Sequence, residues 1–345
     1  MKLLRVVFFP IMVILYILHM TILFFRNKLY DLKVYKTFYF KDVKIISVGS
    51  LKLGGAGKTP LVEYIINILP KSKIALLSRG YKRKSSGFLF ATKNHSAYEI
   101  GDEANQIHKK NLDITVAVDK DRVRGVNKII QKRKKDLIIL DDAYQHRRLK
   151  KDLNILVTEY EKLFSKDYLF PLGNLREYRS ESKRANIIVV TKCPKNIHLN
   201  EQENIKKNLS VKSHQKVFFS HISEYKFIHN NQRCDLEKNK KYFLVTGIAN
   251  VNPLLKKLRE MEIEFSSFEY SDHYFFKKSD IKKLIKKGKK EDVKEIIITE
   301  KDYYRLSKEH LNLIQSYFKL FYTQIEFDFI TEEKSLFNKQ ILKFI

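Results

Sequence analysis

A glycine-rich segment between an apolar run and a helical pattern constrains this chain more than any other feature. Residues 44–48 read KIISV, a β-branched run typical of a buried strand. Residues 49–60 read GSLKLGGAGKTP, and residues 61–69 carry apolar side chains at helical spacing. In a strand–loop–helix unit, glycines let backbone N–H groups converge, and the helix N-terminus adds a positive dipole end. The segment therefore predicts a phosphate-binding loop.

The residues predicted to hold phosphate are consecutive. They are Gly54, Gly55, Ala56, Gly57, Lys58 and Thr59. In such loops the lysine reaches the β- and γ-phosphates and the hydroxyl ligates Mg²⁺, which predicts these roles for Lys58 and Thr59. The strict spacing G-x-x-x-x-G-K-[ST] is broken, because Lys52 stands five residues before Gly57.

A second apolar run supports a nucleotide site. Residues 136–140 read DLIIL and lead into Asp141 and Asp142. Carboxylates at the end of a buried strand are where a P-loop fold holds Mg²⁺. Further short apolar runs, separated by helical stretches, lie at 73–77, 115–118, 154–157 and 186–190. This alternation predicts an α/β fold whose mostly parallel sheet binds ligands at the carboxyl ends of its strands.

Composition narrows the class of protein. The 345 residues are enough for about two domains, and 44% hydrophobic content excludes intrinsic disorder. Cys193 and Cys234 cannot build a disulfide framework, so a reducing compartment is expected. The net charge of +28 predicts an anionic partner or surface. Lysine heavily outnumbers arginine, which is also the pattern that a genome-wide composition bias produces. The charge is therefore weak support for nucleic-acid binding, and no nucleic-acid partner is expected.

The N-terminus carries an apolar segment. Residues 6–25 contain no charged side chain, and basic residues flank them at Lys2, Arg5, Arg26 and Lys28. At 1.5 Å per residue this helix is long enough to cross a hydrocarbon core of about 30 Å. No small-x-small site follows, so a cleaved signal peptide is not expected. A membrane anchor is favoured over a buried helix, and whether it spans the bilayer or lies in the interface stays open.

Polar clusters follow several of the predicted strands, where an active-site cleft is expected. They read SRGY at 78–81, GDEA at 101–104, DRVRG at 121–125, GNLRE at 173–177, SDHYF at 271–275 and TEKD at 299–302. Within them, Asp102 is a candidate helix N-cap. Taken singly, each cluster is also compatible with a cap, a turn or a solvated charge.

With these motifs in place, the chain resembles the tetraacyldisaccharide 4′-kinases, or lipid A 4′-kinases, of Gram-negative bacteria. The family's V-G-N-hydrophobic-x-x-G-G-x-G-K-T-P loop matches residues 48–60, and its S-R-G-Y, G-D-E, G-x-L-R-E, D-H and T-E-K-D motifs follow in order. Its D-D-G-F-Q-H motif stands as DDAYQH at 141–146, with Ala143 for glycine and Tyr144 for phenylalanine. Tyr178 replaces the usual proline after G-x-L-R-E.

The resemblance implies transfer of the ATP γ-phosphoryl group to the 4′-hydroxyl of a lipid-linked disaccharide 1-phosphate, giving lipid IVA. It implies a P-loop-like α/β/α sandwich with a second, smaller α/β domain and an N-terminal membrane-associated helix. We place the anchor at residues 1–40, the P-loop kinase domain at 41–230 and the smaller domain at 231–345. The enzyme is expected on the cytoplasmic face of the inner membrane, against anionic lipid, as a monomer.

The resemblance also assigns roles to the site residues. Asp102 is the candidate base, with His273 orienting it or sharing the proton, and the predicted boundary places the two residues in different domains that must close. Mg²⁺ is assigned to Thr59 with Asp141 or Asp142, with Glu103 nearby. The remaining residues, assigned to substrate or phosphate binding, are Arg79, Tyr81, Gln145, His146 and Arg176.

Two other classes of protein share single features with this sequence. A partition- or Min-type switch ATPase carries K-G-G-x-G-K-[ST], but here Leu53 precedes Gly54 and Gly55. Such proteins also lack the distal D-H and T-E-K-D motifs. A non-enzymatic nucleic-acid or membrane scaffold would explain the charge and leave the glycine loop without a role.

Overall fold

The computed structural model describes residues 2–344, with the side chains of residues 2–8 and 331 left out; the outermost residues of the predicted first and last domains, 1 and 345, lie outside this description. The chain forms two compact units. The first unit contains residues up to 79, residues 113–221 and residues from 327 onward. The second, smaller unit contains residues 80–112 and 222–326.

The elements alternate between helix and strand for much of the chain. The helices are α1 (Lys2–Asp31), α2 (Lys58–Asn67), α3 (Ala97–Ile100), α4 (Asp102–Lys110), α5 (Arg122–Lys132), α6 (Leu199–Asn208), α7 (Asn252–Glu260), α8 (Lys278–Glu291), α9 (Glu300–Arg305), α10 (Lys308–Gln315) and α11 (Thr331–Leu342). The strands are β1 (Lys44–Gly49), β2 (Ile74–Ser78), β3 (Leu89–Phe90), β4 (Thr115–Val118), β5 (Leu137–Asp141), β6 (Leu153–Glu159), β7 (Ile187–Thr191), β8 (Lys216–His229), β9 (Gln232–Cys234), β10 (Lys241–Thr246), β11 (Glu264–Glu269), β12 (Glu295–Thr299) and β13 (Lys319–Phe329).

The first unit is built on a parallel sheet in the order β4-β2-β5-β1-β6-β7-β8. Strands β2, β5 and β7 are buried at every position, and β1 at all but its first. Near-continuous apolar runs are expected for parallel strands, because helices and loops cover both faces of such sheets. Val48 pairs with Asp141, so the strand leading into the glycine loop lies directly beside the strand that ends in the two aspartates.

The second unit has its own sheet, in which β11, β10, β12 and β13 pair in parallel. Strand β8 lies next to β13, and β9 pairs with β8 in the antiparallel direction. An apolar core that includes Phe243, Ile296 and Leu320 packs on this sheet. The carboxyl ends of β10, β11 and β12 lead into Gly247, His273 and the TEKD motif.

The predicted α/β class and the parallel strands are confirmed, and strand bounds agree to within one or two residues. The course of the chain between the units differs from the continuous domains expected at 41–230 and 231–345. After β2 the chain leaves the first unit, and residues 80–112 fold with residues 222–326. The chain then re-enters the first unit at β4. This excursion carries the GDE motif into the second unit.

Helix α1 contains the apolar segment predicted from the sequence. Within the described part of the chain, its stretch Phe9–Asp31 is long and apolar enough to cross a membrane. One face of the helix packs on the first unit through Tyr16, Met20 and Leu23. The large apolar side chains exposed elsewhere on it include Phe9, Ile11, Ile14, Leu15, Ile17, Leu18, Ile22, Phe24 and Phe25.

Candidate active site

The predicted phosphate loop forms a turn directly ahead of α2. Gly54 and Gly57 have φ angles of 81° and 80°, and Gly57 is the N-cap of α2. A side chain at Gly57 would be strained in this left-handed conformation and would press on Thr191 at 3.3 Å. Lys58 and Thr59 are therefore the first two helical residues, beside backbone N–H groups that have no partner within the helix.

Two residues at the end of β7 hydrogen-bond to the backbone of the phosphate loop. The Thr191 hydroxyl donates to the Ala56 carbonyl at 2.9 Å, and Lys192 Nζ donates to the Gly55 carbonyl at 2.7 Å. Lys192 also lies 3.2 Å from Glu159. These contacts give the Gly55 and Ala56 carbonyls hydrogen-bond donors and hold the loop backbone against the end of β7. One sequence signal could have identified these residues, namely the polar Thr-Lys pair at 191–192 that ends an otherwise apolar strand.

The second aspartate after β5 is held by arginine and lysine. Arg176 donates to both carboxylate oxygens of Asp142, at 2.7 and 2.8 Å, and to the Ser50 carbonyl at 2.8 Å. Lys58 Nζ lies 3.6 Å from Asp142 Oδ1. Burial alone would raise the pKa of Asp142, but Lys58 and Arg176 outweigh it and hold that pKa well below its ordinary value.

The other aspartate of this pair, Asp141, is the last residue of β5 and is buried. Asp141 Oδ2 accepts from the Ser78 hydroxyl at 3.4 Å, and its carbonyl accepts from Arg122 at 3.0 Å. Burial lowers the pKa of the Arg122 guanidinium to about 10, and Asp141 and Asp142 oppose that shift. With the Thr59 hydroxyl, the two aspartates offer only oxygen donors, which fit Mg²⁺.

No group of three or more His, Cys, Asp or Glu residues able to hold a metal is present among the described residues. Mg²⁺ seldom occupies an all-protein cage and is usually held by one or two carboxylates together with substrate phosphates. Glu103 belongs to the second unit, so its assignment to Mg²⁺ stays a prediction, as does the choice between Asp141 and Asp142.

Three of the residues assigned to substrate lie in the first unit, and two of them hydrogen-bond to its backbone. The Gln145 amide donates to the Ser50 carbonyl at 2.8 Å, and His146 Nε2 accepts from the Arg122 backbone N–H at 3.3 Å. Burial and the Arg122 charge lower the pKa of His146 to about 4, so its imidazole is neutral at physiological pH. Arg79 is exposed at the end of β2. Their substrate roles, like that of Arg176, stay predictions.

In the second unit, two glycines position Asp102. A Cβ on Gly101 would lie 2.9 Å from the Gly80 Cα, and Gly101 has a φ of 86°. The SRGY and GDE motifs therefore meet backbone to backbone, which only glycine permits. The expectation that Asp102 is an N-cap is wrong, because Gly101 takes the cap position and Asp102 is the first residue of α4.

Asp102 shares one carboxylate oxygen with two donors. Its Oδ2 accepts from His273 Nδ1 and from Arg305 Nε, both at 2.8 Å. The Asp102 side chain is 2% exposed, and its Oδ1 has no hydrogen-bond partner in the described part of the chain. Burial would raise the pKa of Asp102, but the His273 hydrogen bond and the charges of Arg305 and Lys301 outweigh it and lower the pKa.

Residues of the TEKD motif contact both donors to Asp102, namely Arg305 and His273. The Thr299 side chain caps α9 and donates to Asp302 Oδ2 at 2.6 Å, and Asp302 Oδ1 accepts from Arg305 at 2.8 Å. Lys301 Nζ lies 3.3 Å from His273 Nε2. Arg305, which holds Asp102, was not identified from the sequence, since it stands three residues outside the motif.

The expectation that Asp102 and His273 lie in different domains and meet only on closure is wrong. Both residues belong to the second unit and are hydrogen-bonded within it. The reason is the excursion of residues 80–112, which brings α4 into that unit. Tyr81 belongs there as well, and its ring lies edge-on to His273 at 5.1 Å.

The loop ahead of α2 and the acidic end of β5 define a nucleotide-binding protein of the P-loop class. The family model described as tetraacyldisaccharide-1-P 4′-kinase matches residues 8–345. The chain therefore belongs to the tetraacyldisaccharide-1-P 4′-kinase family, and it is a kinase.

Relatives and a solved structure cover nearly the whole chain. The tetraacyldisaccharide 4′-kinase of Flavobacterium johnsoniae is 39% identical, over 100% of this chain and 98% of that protein. That of Flavobacterium psychrophilum is 41% identical, over 93% and 92%. The fold is similar to that of LpxK from Aquifex aeolicus crystallised in complex with ATP, with a TM-score of 0.72, 28% identity and 99% coverage of both chains.

Proposed function

We propose that this protein transfers the γ-phosphoryl group of ATP to the 4′-hydroxyl of a tetraacyldisaccharide 1-phosphate, forming lipid IVA in lipid A biosynthesis. The observation that carries the proposal is one chain holding both a phosphate loop with Lys58 and an Asp102–His273 pair. The family and its relatives name the same reaction. That the active species is a monomer stays a prediction.

The first unit binds the nucleotide. Backbone N–H groups of the loop and the N-terminus of α2 face the phosphates, and Lys58 neutralises charge on the β- and γ-phosphates. Thr59 with Asp141 or Asp142 would hold Mg²⁺. When bound, that ion supplies further charge neutralisation on the transferring phosphoryl group.

The second unit supplies the base. Asp102 is ionised at physiological pH, and its unpartnered Oδ1 is the atom proposed to accept the proton of the sugar hydroxyl. His273 donates its Nδ1 proton to Asp102 Oδ2, which leaves Nε2 as the ring acceptor beside Lys301. A carboxylate with a low pKa is a weak base, so sharing the proton with the imidazole would help the transfer.

Helix α1 is proposed to hold the enzyme on the cytoplasmic face of the inner membrane. Because Tyr16, Met20 and Leu23 pack on the first unit, the part of α1 ahead of these contacts is residues 2–15, a length of about 21 Å at 1.5 Å per residue. A hydrocarbon core is about 30 Å thick. We therefore propose that the helix lies in the interface, with its exposed apolar face in lipid and basic side chains on anionic headgroups, each worth about 1 kcal/mol.

Tryptophan fluorescence tests this position, since the sequence contains no tryptophan. Single variants Ile14→Trp and Phe24→Trp are bound to anionic vesicles containing lipids brominated at known depths. An interfacial helix predicts shallow quenching of both reporters. Deep quenching at Ile14 with shallow quenching at Phe24 would show a helix that crosses the bilayer.

The activity is tested by incubating the protein with ATP, Mg²⁺ and the disaccharide 1-phosphate in detergent micelles. The expected product carries a second phosphate on the sugar, and Lys58→Ala is expected to lose both ATP binding and turnover. ATP hydrolysis that does not depend on the lipid acceptor would instead favour a switch ATPase. Salt-dependent DNA binding without ATP turnover would favour a scaffold.

A further inference from the structure

Helix α1 is attached to the first unit by polar contacts as well as by apolar packing. Leu23 is 4% exposed within the core, and Tyr16 and Met20 pack against the same cluster. The Tyr178 hydroxyl donates to the Met20 carbonyl. His19 Nδ1 lies 2.8 Å from the Phe170 carbonyl. A helix that served only as a lipid anchor would not need these contacts with the segment around the GNLRE motif.

A buried carboxylate lies where α1 meets this segment. The Glu177 side chain is fully buried, and its two oxygens pair with different arginines, Arg26 of α1 and Arg184. A carboxylate removed from water is stable only when each oxygen is compensated. Removing Arg26 would therefore leave half of a buried charge without its partner.

Glu177 is covalently next to the residue that holds Asp142. Arg176 donates its backbone N–H to the Leu51 carbonyl at 2.7 Å, and its guanidinium holds Asp142 and Ser50. The Leu53 N–H likewise donates to the Asn174 carbonyl at 2.8 Å. The segment 174–176 thus pairs with residues 51–53, immediately ahead of the phosphate loop.

A second contact joins α1 to the other side of Asp142. Arg147, which follows the DDAYQH motif, pairs with Asp31 at 2.6 Å and donates to the Asn27 carbonyl at 3.3 Å. It also lies 3.7 Å from Glu181. Helix α1 is therefore tied to both chain segments that border Asp142.

We propose that Arg26 and Glu177 are positioning residues of the nucleotide site, which make the geometry of Asp142 and the phosphate loop depend on the docking of α1. The contacts run from Arg26 through Glu177 and Arg176 to Asp142, which faces Lys58. The inference rests on the proposed function for the identity of the nucleotide, since it concerns the same site. It assigns to α1 a second role, separate from binding lipid.

The test compares two cations on the same helix. Arg26→Ala removes the partner of Glu177, whereas Lys28→Ala removes an equal charge from an exposed position for which no ion pair is found among the described residues. ATP affinity with Mg²⁺ is measured by calorimetry on the full chain in detergent micelles, which removes any need for membrane recruitment. We expect Arg26→Ala to weaken ATP binding about tenfold, within the range for substitutions that act through contacting networks, and Lys28→Ala to leave it unchanged.

Steady-state kinetics separate positioning from lipid binding. Arg26→Ala is expected to raise the KM for ATP and leave the KM for the disaccharide lipid unchanged, and Arg26→Lys is expected to restore most of the ATP affinity. Equal ATP affinity in Arg26→Ala and Lys28→Ala overturns the proposal, as does a loss confined to the lipid KM. Should the alanine variant melt below the assay temperature, Arg26→Gln, which keeps a long polar side chain but removes the charge paired with Glu177, and Tyr178→Phe replace it, and wild-type ATP affinity in both overturns the proposal.

The outcome is separable from that of the proposed function. If the protein binds ATP but transfers no phosphate to the disaccharide, the proposed reaction fails. The calorimetric comparison of Arg26→Ala with Lys28→Ala would still decide whether α1 positions the nucleotide site.

Discussion

Two aspartates, one in each unit, are held by arginine in different ways. Arg176 occupies both oxygens of Asp142, and the side chain of Asp142 remains 30% exposed. Arg305 and His273 share one oxygen of Asp102, whose side chain is 2% exposed. The pKa of each is lowered against the effect of burial.

The difference indicates different uses of the same residue type. A carboxylate with both oxygens in a guanidinium fork is fixed in place and its negative charge is partly neutralised. A carboxylate with both donors on one oxygen leaves the other oxygen without a hydrogen bond among the described residues, so that oxygen keeps its capacity to accept a proton. We therefore expect Asp142 to organise the nucleotide site and Asp102 to take part in the proton transfer.

The largest expected effect separates the two aspartates directly. Asp102→Asn keeps the size of the side chain and removes the base, so kcat is expected to fall about 10²–10⁴-fold, the usual contribution of a general base. ATP affinity is expected to stay near that of the wild type. Asp142→Asn is expected to change the KM for ATP and Mg²⁺ as well as kcat. Rapid-quench assays with radiolabelled ATP and calorimetry measure both quantities.

The control for this pair is Asp272→Asn, which alters a carboxylate 3.6 Å from His273 Nε2 that does not contact Asp102. A small effect is expected there. If Asp102→Asn and Asp142→Asn gave the same pattern of kcat and KM, the distinction between the two aspartates would be lost.

The second-largest effect is expected from replacing the Arg176 guanidinium, which binds both oxygens of Asp142. Arg176→Lys keeps the charge and loses the paired hydrogen bonds to Asp142 and the contact with Ser50, because an ammonium group cannot reproduce a planar fork. Each charge-assisted bond is worth about 1.5–3 kcal/mol, so the KM for ATP is expected to rise at least tenfold. Initial-rate kinetics at varied ATP would show this. An unchanged KM would mean that Asp142 needs only a nearby charge.

A smaller effect is expected in the pH dependence. The Lys301 cation helps to lower the pKa of Asp102, so Lys301→Gln should raise that pKa. Because the base must be ionised, the acid limb of the kcat profile is expected to move to higher pH. The exposed Lys282→Gln, on α8 of the same unit, is the matched control. A profile that does not move, or that moves to lower pH, would argue against Asp102 as the titrating base.

The smallest effect is expected from the hydrogen bond between Thr191, at the end of β7, and the phosphate loop. Thr191→Val removes the hydroxyl that donates to the Ala56 carbonyl and keeps the shape of the side chain. A single neutral hydrogen bond contributes about 0.5–1.5 kcal/mol, so ATP affinity is expected to fall a few-fold with little change in kcat. Calorimetric titration measures the difference. A large fall in kcat would place Thr191 closer to the chemistry than we propose.

Much of the first unit could be predicted from the sequence because its signals are local. Apolar runs set the strands, and the glycines and Lys58 set the loop, so the nucleotide site follows from short segments in the right order. The position of Asp142 after a buried strand is equally local. None of these predictions depends on which strands become neighbours.

The remainder depends on contacts between distant residues. The segment 80–112 begins with GYKRKSSG, a basic and Ser/Gly-containing stretch that indicates a surface loop but does not show which unit the following residues join. Asp102 was therefore assigned to the wrong side of a boundary. Arg305 lies 203 residues from its partner, and Glu177 lies 151 residues from Arg26. Such pairs form only when the fold brings them together, and a single sequence contains no pattern that identifies them.

The excursion of residues 80–112 limits how this enzyme can be divided. A cut near residue 230 yields two polypeptides, and the shorter one lacks Asp102 although it contains His273 and Arg305. Split-protein complementation at that site would separate a hydrogen-bonded triplet between fragments, whereas a permuted chain that joins 80–112 to 222–326 by a new linker would keep it on one polypeptide. The aspartate proposed as the base, Asp102, is thus encoded beside the nucleotide-binding motifs but belongs structurally to the second unit.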